Sequence, residues 1–177
     1  MLFRSAVHQG IVAEVEPYQY KKIEDITDIS NGKFLILDSI EDPHNLGAII
    51  RSADAMGLDA IIMSQKQQVP LNATVAKVST GAIEYVPIVI VPQLFKGIAL
   101  LKEAGVKIYG TDMKDAVSYQ DASYNGSVAV ILGNEGKGIR NSIKPLCDEM
   151  IMIPMKGHVQ SLNVSVAAAL IMQVLTQ

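Results

Sequence analysis

Three stretches of this 177-residue chain carry side chains whose types and spacing suit catalysis or ligand binding. The first begins where an apolar run ends and reads Asp38-Ser39-Ile40-Glu41-Asp42-Pro43-His44-Asn45-Leu46-Gly47-Ala48-Ile49-Ile50-Arg51-Ser52-Ala53. Pro43 restricts the residue before it to an extended conformation, and Asn45 is placed to cap the helix that follows. Arg51 comes six residues after Asn45, amid Ile49, Ile50 and Ala53. Two readings stand side by side. Either the arginine stem packs along a helix edge, or the guanidinium turns toward the strand ends, where its fork suits bidentate phosphate binding.

The second stretch, Leu132-Gly133-Asn134-Glu135-Gly136-Lys137-Gly138-Ile139, puts three glycines into six residues directly after an apolar run. Such a turn admits positive φ and lets the backbone approach a ligand closely. Its spacing fits neither the dinucleotide pattern G-x-G-x-x-G nor the nucleoside-triphosphate pattern G-x-x-x-x-G-K-[ST]. Glu135, a carboxylate at the centre of the turn, is hard to account for by packing. The third stretch runs from Ile153-Pro154-Met155 through Lys156, Gly157 and His158 into a helix whose first turn holds Ser161, Asn163 and Ser165. Ser161 is a ready N-cap, and Ala167, Ala168 and Ala169 behind it permit close approach of another segment or chain. With only His8, His44 and His158, none at paired spacing, and a single cysteine, no metal site is expected.

These stretches sit at the ends of recurring elements. Short β-branched runs at residues 34–37, 60–63, 87–91, 106–109, 128–132 and 150–153 read as strands buried on both faces. Helical patterns over 46–56, 73–80 and 94–104 each stop at a glycine, Gly57, Gly81 and Gly105, and two more cover 140–146 and 161–175. This alternation predicts an α/β fold: a mostly parallel sheet with helices on both faces, and ligands at the carboxyl ends of the strands. The domain is expected to span 32–177. Residues 1–31, with one extended piece over 5–15 and a polar tract containing Pro17, read as an N-terminal arm or linker remnant.

Composition narrows the function classes. A hydrophobic fraction of 49% against 19% charged residues excludes a disordered chain. The longest strongly apolar stretch, residues 164–174, is well short of the roughly 20 residues that a bilayer span needs. No secretory signal opens the chain, and Cys147, the one cysteine, has no internal partner, so a reducing cytoplasmic setting is expected. A net charge of −3 argues against a free-standing nucleic-acid binder, because counterion release rewards excess Lys and Arg. An RNA role would need a local patch or a second domain.

In this order, at the ends of alternating strands, the three motifs resemble the SpoU family of SPOUT-class RNA methyltransferases. The resemblance runs from about Phe34 to the C-terminus. It rests on Asn45-Leu46-Gly47-Ala48-Ile49-Ile50-Arg51, on Leu132-Gly133-Asn134-Glu135-Gly136-Lys137-Gly138, and on Ile153-Pro154-Met155 with Ser161-Leu162-Asn163-Val164-Ser165. Asp42-Pro43-His44-Asn45-Leu46-Gly47 and Leu71-Asn72-Ala73-Thr74 are most similar to the branch that methylates guanosine ribose in 23S ribosomal RNA. The resemblance implies methyl transfer from S-adenosyl-L-methionine to a ribose 2′-hydroxyl, a C-terminal segment threaded into a deep trefoil knot, and a homodimer.

Many relatives also carry an N-terminal RNA-binding domain, and this chain would begin where such a domain ends, near His8-Gln9-Gly10. By the resemblance, Arg51 would meet the ribose and its phosphate and activate the hydroxyl, with Asn45 orienting Arg51 or the RNA. Glu135 would hold the loop and the target nucleotide, while Ser161 and Asn163 would place hydrogen bonds at the reaction centre. The backbone around Thr111, Gly133, Ile153, Met155 and Leu162 would grip the adenosyl group. A transfer-RNA ribose methyltransferase and a catalytically silent RNA-binding module that has kept the fold are the alternatives. A Rossmann-type oxidoreductase is disfavoured, since the turn after the first strand, residues 38–44, holds no glycine.

Overall fold

The computed structural model describes residues 18–134 and 136–177. The extended piece expected over 5–15 and the carboxylate Glu135 therefore lie outside the described residues. Seven strands form one sheet in the order β3-β2-β1-β6-β4-β7-β5, with every pairing parallel. In chain order they are β1 (Lys33–Asp38), β2 (Ala60–Ser64), β3 (Ile88–Val91), β4 (Lys107–Thr111), β5 (Val117–Ser118), β6 (Val128–Gly133) and β7 (Glu149–Met152). Among the described residues five α-helices accompany them: α1 (Glu24–Thr27), α2 (Pro43–Ala55), α3 (Ala73–Val78), α4 (Leu94–Glu103) and α5 (Val164–Leu175). The α/β alternation and the six expected strands are present. β5, two residues long, is the addition.

Successive residues of a strand point to opposite faces, and the two cores divide accordingly. Leu35, Leu37, Ile61, Met63, Val130 and Leu132 pack with α2, α3 and α5 on one face. Phe34, Ile36, Ile62, Val89, Ala129 and Ile131 pack with α4 on the other, joined by Ile23 and Ile26 from around α1. The polar tract before β1 thus supplies apolar anchors to the sheet. Burying each such Ile or Leu stabilises the fold by about 1.5–3 kcal/mol before the entropy of ordering is counted.

Three local expectations are corrected. Asn45 does not cap α2: Asp42 does, its carboxylate accepting from the His44 amide at 2.9 Å, and Pro43 takes the first helical position, where a missing N–H costs nothing. Nor does Ser161 cap the last helix, which starts at Val164 with Asn163 as its cap, Oδ1 accepting from the Ser165 amide at 2.9 Å. Residues 140–146 form no α-helix, only a 3-10 turn at Lys144–Leu146. Pro145 disfavours helical backbone at Lys144 and has no amide hydrogen to continue the ladder.

The rim formed by the strand ends is level at its centre, where Asp38, the last residue of β1, lies opposite Gly133, the last of β6. After β3 the chain crosses from that edge of the sheet to β4 on the far side of β1 and β6. Such a reversal of strand order opens a crevice at the carboxyl ends of the strands.

Candidate active site

Two loops close that crevice into a cavity of about 250 Å³. One wall is the turn that leaves β6. Asn134 and Gly138 bond to each other through their backbones, at 3.2 and 2.8 Å, and the Asn134 Oδ1 accepts from the amides of Gly136 and Lys137 at 3.0 and 3.3 Å. The Asn134 Nδ2 donates to the Ser39 carbonyl at 3.0 Å, tying the turn to the end of β1. Gly133 is obligatory here. A Cβ at this position would stand 2.1 Å from the Gly138 carbonyl carbon and 2.2 Å from the Ile139 amide nitrogen, far inside contact distance.

The segment that leaves this turn is fixed from below. Asp38 is fully buried, and its carboxylate accepts from both the Arg140 amide and Arg140 Nε, the latter at 2.7 Å. Arg140 Nη1 donates onward to the Gln67 Oε1 at 2.8 Å. A buried carboxylate needs such a partner, and deleting one side of the pair typically costs about 3–5 kcal/mol.

The opposite wall is the loop between β7 and α5, carrying Ile153, Met155, Gln160, Ser161 and Leu162. Among the described residues no hydrogen bond holds residues 153–162, in contrast to the turn facing it. At the mouth, Lys144 Nζ reaches the Asp112 carboxylate at 2.5 Å. That hydrogen bond is the main reason the Asp112 carboxyl titrates below its ordinary range, helped by the amides of Lys114 and Met113. Apolar floor comes from Leu132, Ile139, Ile151 and Ile171.

All five residues expected at the adenosyl group, Thr111, Gly133, Ile153, Met155 and Leu162, line this one cavity, and so does Ser161. The Thr111 hydroxyl is spent internally, donating to the Ile131 carbonyl at 3.0 Å. Asn45 and Asn163 are not in the lining but are joined to each other, the Asn163 Nδ2 donating to the Asn45 Oδ1 at 3.0 Å across 118 residues of sequence. Arg51 lies on the exposed side of α2, outside the lining, while Ile49, Ile50 and Ala53 face the core.

Sequence reasoning passed over Asp38, Asn134, Arg140 and the Lys144–Asp112 pair. Asp38 and Asn134 stood within the quoted stretches without a role of their own, while Arg140 and the Lys144–Asp112 pair left no signal.

Residues 32–173 match the SpoU rRNA Methylase family. A curated protein of Staphylococcus epidermidis assigned to the TrmH family of tRNA/rRNA methyltransferases is 45% identical over 173 residues, covering 95% of this chain and 70% of that protein. Among solved structures, an AdoMet-bound rRNA methyltransferase from Sinorhizobium meliloti superposes with a TM-score of 0.82 at 28% identity, over 87% of this chain and 59% of that one. An RNA 2′-O ribose methyltransferase superposes with a TM-score of 0.74 at 28% identity, over 90% of this chain and 58% of that one. The chain thus spans less than two thirds of the length of these two structures.

Proposed function

The chain belongs to the SpoU rRNA methylase family, and from that premise we propose that it transfers a methyl group from S-adenosyl-L-methionine to a ribose 2′-hydroxyl of RNA, ribosomal RNA in preference to transfer RNA. The observation that carries this reading is the cavity itself, where two loops far apart in sequence meet and enclose Thr111, Gly133, Ile153, Met155, Leu162 and Ser161. Its construction fits an adenosyl ligand. The Gly133 backbone is bare of side chain, apolar faces from Ile139, Ile151 and Ile171 suit an adenine ring, and Gln160 and Ser161 offer polar groups at the rim. Bound there, the cofactor supplies an electrophilic methyl carbon on a sulfonium.

The protein's own work is positioning, which can supply about 7–11 kcal/mol of a barrier by holding the reacting atoms about 3–3.5 Å apart. Arg51 is assigned to the RNA: its guanidinium binds the phosphate of the target nucleotide and stabilises the alkoxide that develops on the 2′-oxygen. A guanidinium is a binder of anions rather than a base, so the phosphate is assigned as proton acceptor. Asn45 and Asn163 act as one hydrogen-bonded unit that fixes the starts of α2 and α5. Ser161 is assigned a hydrogen bond at the reaction centre, and Glu135 the target-nucleotide side of its turn.

Because Arg51 stands outside its own chain's cavity, the reading includes a homodimer with the exposed side of α2 at the shared site. On α5, which packs beside α2, half-exposed Val166 with Ala169 three residues on offers small apolar contacts to such a partner. A C-terminal segment threaded as a trefoil knot belongs to the same proposal.

The test is Arg51→Ala. Methylation of ribosomal RNA, mapped by mass spectrometry, should fall about 10²–10⁴-fold or more, while calorimetric affinity for S-adenosyl-L-methionine stays unchanged. Equal loss of both would mean that the pocket and not the reaction had been hit. Methyl groups found on a base atom would refute the ribose assignment.

A further inference from the structure

A second cavity, of about 260 Å³, opens on the same rim at the ends of β2 and β3. Ser64, Lys66, Gln67, Phe95, Arg140 and Ser142 line it. It is the immediate neighbour of the first: Ile139 belongs to the lining of one and Arg140 to that of the other, so consecutive residues form the partition. Among the described residues no carboxylate is part of its lining. The nearest partner of Arg140, Asp38, is sequestered beneath with no exposed surface.

The donors are specific in kind. Arg140 has five N–H groups, of which Asp38 takes Nε and Gln67 one from Nη1, leaving others on a fork already held in place. Lys66 adds an exposed cation, and Ser142 adds a hydroxyl. α4, ten residues long, starts in this cavity with no side chain capping its first amides. Phe95, 49% exposed, offers an aromatic face beside them. Fixed cationic donors next to an uncovered ring are what a phosphodiester with its base requires: the charge is attracted over the distance of the groove, and the base stacks.

We propose that this second cavity binds a phosphate and a stacked base of the RNA strand next to the nucleotide seated at the first cavity. The inference rests on the RNA methyltransferase reading above and adds the strand-holding contact that an acidic chain, net charge −3, must concentrate in one place. Lys66 and Phe95 are RNA-binding residues in this account, and Arg140 is both a contact and the partition's anchor.

The experiment uses the full chain with a fluorescein-labelled, single-stranded RNA of mixed sequence, measured by anisotropy across a potassium chloride series. Lys66→Glu should weaken binding about tenfold or more. Lys66→Gln should lower the slope of log affinity against log salt by about 0.7, one phosphate contact on a single strand. Phe95→Ala should weaken binding about tenfold with the slope unchanged. Both side chains are exposed, so folding should be preserved, and affinity for S-adenosyl-L-methionine should not move in any variant.

Unchanged RNA affinity in Lys66→Glu and Phe95→Ala would overturn the subsite and leave the methyltransferase reading standing. So would wild-type protein that binds the cofactor but not the RNA, or adenosine monophosphate displacing the RNA at equal concentration, which would make the cavity a free-nucleotide site. Wild-type protein that binds no S-adenosyl-L-methionine while Lys66→Glu still loses RNA would overturn the methyltransferase reading and keep the subsite.

Discussion

The two walls of the first cavity are built on opposite plans. The turn after β6 is closed by the Asn134–Gly138 bonds, is tied to Ser39 by Asn134, and leaves no room for a side chain at Gly133. The loop before α5 has no hydrogen bond holding residues 153–162 among the described residues, and most of that loop is exposed. A ligand pressed between them meets a fixed surface on one side and a compliant one on the other. Binding is then expected to order the second wall more than the first, because ordering costs fall where the free chain has most freedom.

The sharpest way to break this contrast is a single methyl group on each wall. Gly133→Ala should destabilise the protein by about 3 kcal/mol or more, since backbone atoms of Gly138 and Ile139 occupy the space, and cofactor binding should vanish with it. Thermal denaturation and calorimetry would read both. Asn163→Ala removes the cap of α5 and the link to Asn45 together, with an expected cost of about 1–2 kcal/mol, some 2–8 °C in Tm for a chain of this size. Methylation should fall further than stability does.

A smaller effect belongs to the mouth. The folded-state pKa of Asp112 is lowered, so the stability it contributes is fully present above the ordinary value of 3.8 and is lost as pH falls below it. Asp112→Asn should therefore cost at most about 1 kcal/mol near neutrality, the pair being partly exposed, and the difference from wild type should shrink as pH falls below 3.8. Smallest of all is Gly157→Ala on the compliant wall. A Cβ there meets nothing within 4 Å, and the change should stay within about 0.5 kcal/mol of wild type. A cost for Gly157→Ala matching that for Gly133→Ala would dissolve the distinction between the walls.

Much of this was legible in the sequence because it is local. The runs at 34–37, 60–63 and 128–132 are β-branched, unbroken and bounded by turn residues, and β1, β2 and β6 lie where they stand. The two walls could be read from glycine spacing and from the Ile153-Pro154-Met155 motif. What stayed hidden depends on partners far away in the chain. Whether Asp42 or Asn45 caps α2 is decided by Pro43 claiming the first turn, and both residues have suitable side chains.

The helix expected over 140–146 has apolar spacing, but Pro145 interrupts its ladder; the tie of Arg140 to Asp38, 102 residues earlier, left no mark in the spacing. β5 and α1, two and four residues long, are too short to show a period. The second cavity could not be seen at all, since Lys66 follows β2, Phe95 stands in the first turn of α4 and Arg140 follows the turn after β6.

The Asn45–Asn163 bond also dictates an order of events during synthesis. β1, near the start of the described chain, takes β6 as a central partner, and α2 waits beside it for α5, whose cap is the residue that Asn45 holds. At about 5–20 residues per second, several seconds separate the emergence of the two asparagines from the ribosome. Until the later one arrives, every strand has been made but one flank of α2 stays bare, and the loop before α5 is the last wall of the first cavity to form.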